Sequence, residues 1–573
     1  MIATSNKSVS DNCGGGDSTK CIELEHREEV IETTAINSGG LHRRLNNRHI
    51  QLTAIGGTIG TGLFVSIGGA LARGGPGNLL LCFLAYSCVV SLINNSAAEM
   101  VTHMPISGGF IRLAGQWVDD ALGFAIGWNF FFYEALLIPF EIVALNVVTS
   151  YWVLDIVRPG PLVGFCLGVI ICYGLLNIVA VSVFGEAEFW LSGGKVILMF
   201  ILFAFTFITM VGGNPKNDAY GFRYWKDPGP FVAQAASAEA LGQFEGFLSV
   251  LVVAVFIIVG PDYISMIAAE AKHPSFYVKT AFKTVYLRFG IFFIGSALAV
   301  GVVLPWNNPE LRRIFINGEG SSTAAASPYV IAMTNMGITV LPHIVNALLF
   351  TSIFSAGNTY TYCSVRCLYG LAVQGHAPAF LKRCTKKGIP IYCFLVTMLF
   401  PFLSFLSVNS GSANALNILL SLIAGGGLVN YIVISITFLR YYNACKVQGV
   451  NRKNLPYYGY FQPYGAWVSL VLEFLVAIGY GYSAFTPWSV QAFFANYTMQ
   501  LVAPILYIFW KVVKKPKLKK STEVDLVWER PAINIYESQA MIEDPPITFW
   551  KEMGKITGIN RAVRYLCGSS DRS

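Results

Sequence analysis

Two stretches of the chain combine what breaks an α-helix with what could hold a small charged molecule. The first reads Ala54-Ile55-Gly56-Gly57-Thr58-Ile59-Gly60-Thr61-Gly62, with four glycines in its last seven residues. Each glycine costs roughly 1 kcal/mol against alanine in a helix, and Thr58 and Thr61 add hydroxyls that can serve freed backbone groups. Close packing is the alternative, since Gly56-x-x-x-Gly60 also fits a small-residue helix interface. The second stretch, Phe256-Ile257-Ile258-Val259-Gly260-Pro261-Asp262-Tyr263, sets Gly-Pro and a carboxylate in mid-window, and proline removes a ladder hydrogen bond and clashes with the preceding turn. Both stretches are expected to unwind. Freed N–H groups of Gly60, Thr61 and Gly62 would then face an anion, and carbonyls of Phe256 to Val259 a cation. A zwitterion fits that pair of dipoles, and an α-amino acid is the simplest one. Hydrogen bonds to charged groups contribute about 1.5–3 kcal/mol each, so four or five would leave micromolar to millimolar affinity after desolvation. The candidate ligand site is Gly57, Thr58, Gly60, Thr61, Gly62, Phe256, Ile257, Val259, Gly260 and Asp262.

Charged side chains in apolar windows form a second set: Glu134, Glu141, Lys195, Asp262, Glu270 and Glu473. Each costs at least about 2.5–3.5 kcal/mol at a helix centre, so each calls for a reason. Glu270 and Lys195 lie near enough to a window's edge to snorkel, and Glu473 is read as structural. Glu141 and Asp262 are deeper and stand beside prolines. An amine such as Lys195, whose protonation follows the face to which a cavity opens, is what proton coupling requires. Lys195, Glu141 and Glu134 are therefore the candidate proton-coupling residues. One charge moved through 100 mV is worth about 2.3 kcal/mol, roughly a 50-fold accumulation, so one proton per cycle is adequate.

The elements that must position these groups are membrane helices. Of 573 residues 54% are hydrophobic and only 13% charged, against about 25% in soluble domains. Windows long enough to cross the roughly 30 Å hydrocarbon layer follow one another from Gln51 to Val513. Backbone groups in lipid must be satisfied internally, and these windows lack the alternation of a barrel, so the fold class is all-α. Twelve spans are expected, near 51–72, 78–98, 123–152, 161–183, 190–211 and 248–269, then 285–304, 340–372, 391–408, 414–439, 464–485 and 493–513. If spans 1–5 and 6–10 are inverted repeats, the two breaks occupy equivalent positions, the arrangement that marks a transport site.

With a cytoplasmic N-terminus, the inner face collects Arg43, Arg48, Arg112, Lys272, Arg288, Arg366, Lys382 and Arg440 among others, and the outer face far fewer. That asymmetry places both termini in the cytoplasm. Residues 1–47 and 514–573 read as polar tails, the first disordered, flanking a transmembrane domain of residues 48–513. No apolar leader precedes the first span. Lys7 and Lys20 are candidate acceptors for a ubiquitin ligase acting through an adaptor on the tails, and Cys567 for palmitoylation, although lone tail residues are usually just solvated.

The motifs resemble those of fungal amino acid permeases of the amino acid–polyamine–organocation superfamily. Besides residues 54–62, these are Glu99-Met100, Leu122-Gly123-Phe124-Ala125-Ile126-Gly127-Trp128, Gly185-Glu186-Ala187-Glu188-Phe189-Trp190 with Lys195, and Gly221-Phe222-Arg223-Tyr224-Trp225. Glu270-Ala271-Lys272-His273-Pro274 and Arg366-x-Leu368-Tyr369 continue the series, and the match runs from about Leu45 to Trp528. Ala324 to Tyr329, Leu341 to Ala347 and Asn409 to Ala413 look most like the dicarboxylic amino acid permeases, which import glutamate and aspartate with protons across the plasma membrane. The resemblance implies a LeuT-type 5+5 inverted repeat plus two helices. It implies that Gly56 to Gly62 hold the substrate carboxylate, Phe256 to Gly260 its amine, and that Lys195 takes the coupling-ion position, with Glu141 matching the family's span 3 glutamate. Two places depart from the pattern. Asp262 follows Gly-Pro where glutamate is common, and Glu134 stands where an aromatic or amide is more usual. An extra acid repels a carboxylate side chain unless protonated, and no arginine is expected at mid-membrane to pair with one.

Other classes are weaker. Lys and Arg are dispersed rather than gathered in a stripe, which argues against nucleic acid despite the net charge of +8. Twelve scattered cysteines show no zinc-ligand spacing, so neither a metal nor any cofactor beyond the coupling proton is expected. No nucleophile–base pair or phosphate loop supports an enzyme, and no acidic pore ring or repeated filter supports a channel. An amino acid sensor that transports nothing, and a permease for neutral or other amino acids, both stay open.

Overall fold

A computed structural model describes residue 43 and residues 45–179, 184–233, 239–316, 327–385, 389–410, 412–485 and 487–556. Lys7, Lys20 and Cys567 lie outside them. The described chain is all-α, with two isolated β-bridges and no named strand. The helices that matter are α1 (Asn47–Gly56), α2 (Ile67–His103), α3 (Gly109–Trp117), α4 (Asp120–Thr149), α5 (Pro159–Val179) and α6 (Phe184–Met210). Then come α7 (Glu239–Ile257), α8 (Pro261–Ile267), α9 (Pro274–Arg288), α10 (Gly295–Val303), α11 (Leu341–Gln374) and α12 (Ser412–Val447). The series closes with α13 (Tyr464–Gly479), α14 (Val490–Lys514), α15 (Arg530–Glu543) and α16 (Phe549–Ile556). Ten helical stretches among the described residues are long and apolar enough to span a bilayer. This is a multi-pass membrane protein.

The twelve expected windows do not return as twelve separate apolar helices. The first two run together as Gly62–His103, bent where Gly75 takes φ 79° ahead of Pro76 rather than parted by a loop. A Cβ on Gly75 would stand 2.7 Å from the Pro230 carbonyl, so both the left-handed backbone and the close approach require glycine. The expected eighth window is α11, a 34-residue helix outside the ten, whose Ser, Thr and Asn residues and Arg366 dilute its apolar character.

Helix α4 lies at the centre. It is apolar all round, as a helix enclosed by others must be, and packs along α11 and α12. Helix α2 runs beside α7, and α1 rests on α6. Asp119 caps α4, its carboxylate accepting from Leu122 N at 2.8 Å. The segment after residue 514, read from the sequence as a polar tail, buries Val524, Leu526 and Ile533 and forms α15 and α16 against one end of the bundle. Glu537 accepts from Ser275 N and Oγ, both at 2.7 Å, and Glu552 accepts from Arg48 N at 3.0 Å. Glu529 pairs with Arg112 at 2.7 Å. Its helices are too short and polar to read as spans, although Phe549, Met553 and Ile556 repeat at helical spacing in α16, and its partners lie hundreds of residues away.

One buried ion pair ties α2 to the loop after α12. Arg452 Nε and Nη2 meet Glu99 Oε1 and Oε2 at 2.5 and 2.7 Å, and Gly459 N donates to the same carboxylate at 3.0 Å. Glu99 is fully buried. Removing one partner of such a pair leaves an uncompensated charge and costs about 3–5 kcal/mol. Arg452→Ala is therefore expected to lower the thermal midpoint of the detergent-solubilised protein sharply, with Arg452→Lys in between because it keeps the charge but loses the bidentate fork. An unchanged midpoint in the alanine variant would show that Glu99 is held neutral without the arginine.

Candidate functional site

Helix α1 stops at Gly56, and the chain runs unwound from Gly57 before restarting in a π-helical turn, Gly62–Ser66. Thr58 Oγ1 donates to the Ala54 and Ile55 carbonyls at 3.0 and 3.1 Å, giving Ala54 O a partner at the break, where Ile55 O already accepts from Thr58 N and Ile59 N. Helix α7 likewise ends at Ile257, and Pro261 opens α8. Proline tolerates that first position because its missing N–H would have no partner there. Both expected breaks are present, and the packing alternative for the first is set aside.

The two breaks touch. A Cβ on Gly62 would lie 2.7 Å from Ile257 Cγ1 and 3.0 Å from Phe256 Cε1, and one on Gly57 would lie 3.1 Å from Tyr263 Cδ1. Only glycine lets the strands approach so closely. Between them and α4 is a small, partly open cavity lined by Gly57, Thr58, Gly60, Thr61, Gly62, Phe256, Ile257, Val259 and Glu141 from the predicted set. Leu63, Leu137, Tyr133, Tyr263 and Tyr360 complete the lining and were not anticipated. Tyr360 Oη donates to the Gly57 carbonyl at 3.2 Å, and its ring lies 6.4 Å from that of Tyr263. These tyrosines carry no spacing signal, because α4 and α11 present no distinct polar face; adjacency of Tyr133 to Glu134 and of Tyr263 to Asp262 was the available clue.

Charged groups take three positions. Glu141, on α4, accepts a short hydrogen bond from the Thr61 hydroxyl, so a carboxylate of the protein itself sits at the start of the restarted helix. Lys195 Nζ donates to Gly56 O at 2.9 Å, the last carbonyl of α1, where the helix dipole favours a cation. Lys195 and Glu141 also interact electrostatically across the break. Four predicted residues do not line the cavity: Lys195, Glu134, Gly260 and Asp262. Asp262 turns back to accept from Gly260 N at 3.3 Å, and Glu134 is buried below the cavity wall against the Tyr263 hydroxyl.

This is a cavity between two broken helices in a multi-pass bundle, and the chain as a whole is similar in sequence to known permeases. The sequence profile of the amino acid permease family matches residues 49–522. The general amino acid permease AGP2 of Saccharomyces cerevisiae is 42% identical over 511 residues, covering 87% of this chain and 84% of that protein. The dicarboxylic amino acid permease of the same yeast is 35% identical over 509 residues, covering 88% and 82%. A proline-specific permease of Emericella nidulans is 33% identical over 504 residues, covering 87% and 89%. The chain belongs to the amino acid permease family. It is a transporter by family, not an enzyme.

One expectation about the permease is corrected. Arg288, assigned from the sequence to the inner face at the start of the window 285–304, is buried halfway along the stretch Pro274–Val303, where it donates to Gln51 Oε1 at 3.1 Å and to Thr284 Oγ1 at 3.0 Å. That window began too late, because the polar turns of α9 before it read as loop. The permease thus does hold a mid-span arginine, although not in the cavity lining.

Proposed function

We propose that this permease imports amino acids with protons across the plasma membrane, with both termini in the cytoplasm. The observation that carries the reading is the meeting of the two breaks at one cavity, flanked by Glu141 at the start of one half-helix and Lys195 at the end of another. Substrate carboxylate would share the donors around Gly60 to Gly62 with Glu141, and substrate amine would face the carbonyls from Phe256 to Val259. A LeuT-type 5+5 repeat supplies the motion, spans 1, 2, 6 and 7 rocking against the rest, and the proton is the only cofactor. Lys7 and Lys20 are the proposed ubiquitin acceptors, with a ubiquitin-ligase adaptor bound at the cytoplasmic tails.

Glutamate and aspartate are the proposed substrates, on the motif resemblance and the 35% identity with a dicarboxylic permease. The cavity lining holds no Lys, Arg or His, so an acidic side chain depends on neighbouring carboxyls being neutral. Competition of labelled glutamate uptake by unlabelled amino acids at two external pH values tests this. Uptake stronger at acid pH and blocked by aspartate is expected. Competition by neutral or basic amino acids but not aspartate would replace the substrate class. Absence of any tracer flux in proteoliposomes that nevertheless bind amino acid would make the protein a sensor.

A further inference from the structure

Three buried carboxylates, two behind the cavity wall and one farther from it, have no ion-pair partner among the described residues. Glu134 on α4, Asp262 on α8 and Glu473 on α13 are each fully buried. Among the described residues no ion pair reaches Glu134 or Glu473, whose acid groups lie against the hydroxyls of Tyr263 and Tyr86, and Oδ2 of Asp262 has no partner. The hydroxyl of Tyr431 on α12, equally buried, is unpartnered, and that of Tyr86 on α2 is buried against Glu473. These groups face one another. Glu134 interacts with Asp262 and Tyr263, Tyr86 with Glu473, Tyr133 and Asp262, and Tyr431 with Asp262, Tyr86, Tyr133 and Glu473. From α11, Tyr360 and Cys367 face Glu134. No lysine, arginine or histidine is among these neighbours.

Ionised, Glu134 and Glu473 would each cost several kcal/mol in the low-dielectric interior, and Asp262 would be eased only by backbone N–H groups at the start of α8 such as that of Gly260. A metal ion does not resolve this, since no set of three His, Cys, Asp or Glu among the described residues is arranged to hold one. The remaining cation is the proton, which converts each group from acceptor to donor, and the phenol oxygens of Tyr86 and Tyr431 have lone pairs to receive it. We propose that Glu134, Asp262 and Glu473 form a second proton-holding centre, distinct from Glu141 and Lys195, that exchanges protons with the aqueous phase during the transport cycle. The exchange follows from mechanics. Glu134 and Glu473 stand on helices of 30 and 16 residues, whereas Asp262 stands on the seven-residue α8, joined to α7 through the unwound Ile258 to Gly260. Any swing of α8 changes the spacing of the carboxyls and hence how many protons they retain. Tyr133 and Tyr263 line the cavity and touch this centre, so substrate and protons act on the same wall. The coupling half of the inference rests on the transport reading above; the proton-holding half does not.

Infrared difference spectroscopy on the full-length purified protein tests the holding half. At neutral pH the wild type should show protonated-carboxyl bands that disappear one at a time in Glu134→Gln, Asp262→Asn and Glu473→Gln. Carboxylate bands in their place would overturn the proposal. For coupling, Glu473→Gln in proteoliposomes, remote from the cavity lining, should lower the protons taken up per glutamate and flatten the alkaline fall of uptake, with counterflow exchange kept within about twofold. An unchanged proton ratio and pH profile would reduce the cluster to a static set of protons and overturn the exchange. Protonated bands in a protein that carries no tracer would sink the transport reading and leave the holding half standing.

Discussion

Gly60→Leu should reduce amino acid uptake to background while the protein still reaches the membrane. A Cβ at this position would lie 3.3 Å from Glu141 Oε1, 3.6 Å from Tyr360 Oη and 3.7 Å from Ala356 Cβ, so four added carbons have nowhere to go except the cavity. They would occupy the space in which a substrate carboxylate must meet the restarted helix, and would part Glu141 from the break. A loss of 100-fold or more, about 2.7 kcal/mol, is expected, because an interaction at the binding centre is removed together with the volume. Folding should survive better than function. Gly60 is already outside helical hydrogen bonding, between the end of α1 at Gly56 and the turn from Gly62, so leucine forfeits no ladder bond there. Tracer uptake normalised to surface protein reads the result, and uptake near wild-type level would place the substrate elsewhere. Gly62→Ala is the graded companion, since its methyl would press on Ile257 and Phe256 at 2.7 and 3.0 Å and wedge the two breaks apart.

The breaks were legible in the sequence because proline and clustered glycine act locally: Gly260 and Pro261 together weaken the helix at one point, whereas a lone proline such as Pro139 is accommodated inside α4, and Gly56 to Gly62 supply little to hold a helix. Lys195 and Glu141 were legible because a charge in an apolar window is conspicuous before any neighbour is known. The tyrosine wall was not, since Tyr133, Tyr263 and Tyr360 are ordinary residues of buried helices until three separate elements converge. Glu473 shows the same limit from the other side. Alone in its window it reads as a structural acid, and only the packing of α13 against α2, with Tyr86 opposite, gives it company. The docking of α15 and α16 depends on polar contacts such as Glu537 with Ser275, which no hydrophobic period announces.

Lys195→Ala should abolish accumulation against a gradient while leaving exchange of substrate across the membrane. The ammonium donates to the Gly56 carbonyl at 2.9 Å, so it holds the end of α1 both by a charge-assisted bond and by its position at the negative end of that helix. Across the break it interacts with Glu141, which in turn accepts from Thr61 on the restarted half. Loss of the proton from Lys195 would weaken its hold on α1 and remove the attraction to Glu141 in the same event. That links protonation to the segment expected to move. Alanine deletes the switch but none of the groups lining the cavity, so bound substrate can still cross, driven only by its own gradient. In proteoliposomes under an imposed pH gradient of about 1.7 units, which drives one proton together with a monoanionic substrate without net charge movement, the wild-type accumulation ratio should approach roughly 50-fold, and that of Lys195→Ala should fall to about 1. Counterflow should stay within severalfold of wild type. Lys195→Arg separates charge from titration: its guanidinium can keep α1 docked but does not release a proton in a protein, so both accumulation and exchange should be slow. Accumulation that persists in the alanine variant would move the coupling to Glu141 or to the buried acids behind Tyr133, and the proton ratio of Glu473→Gln would then decide between them.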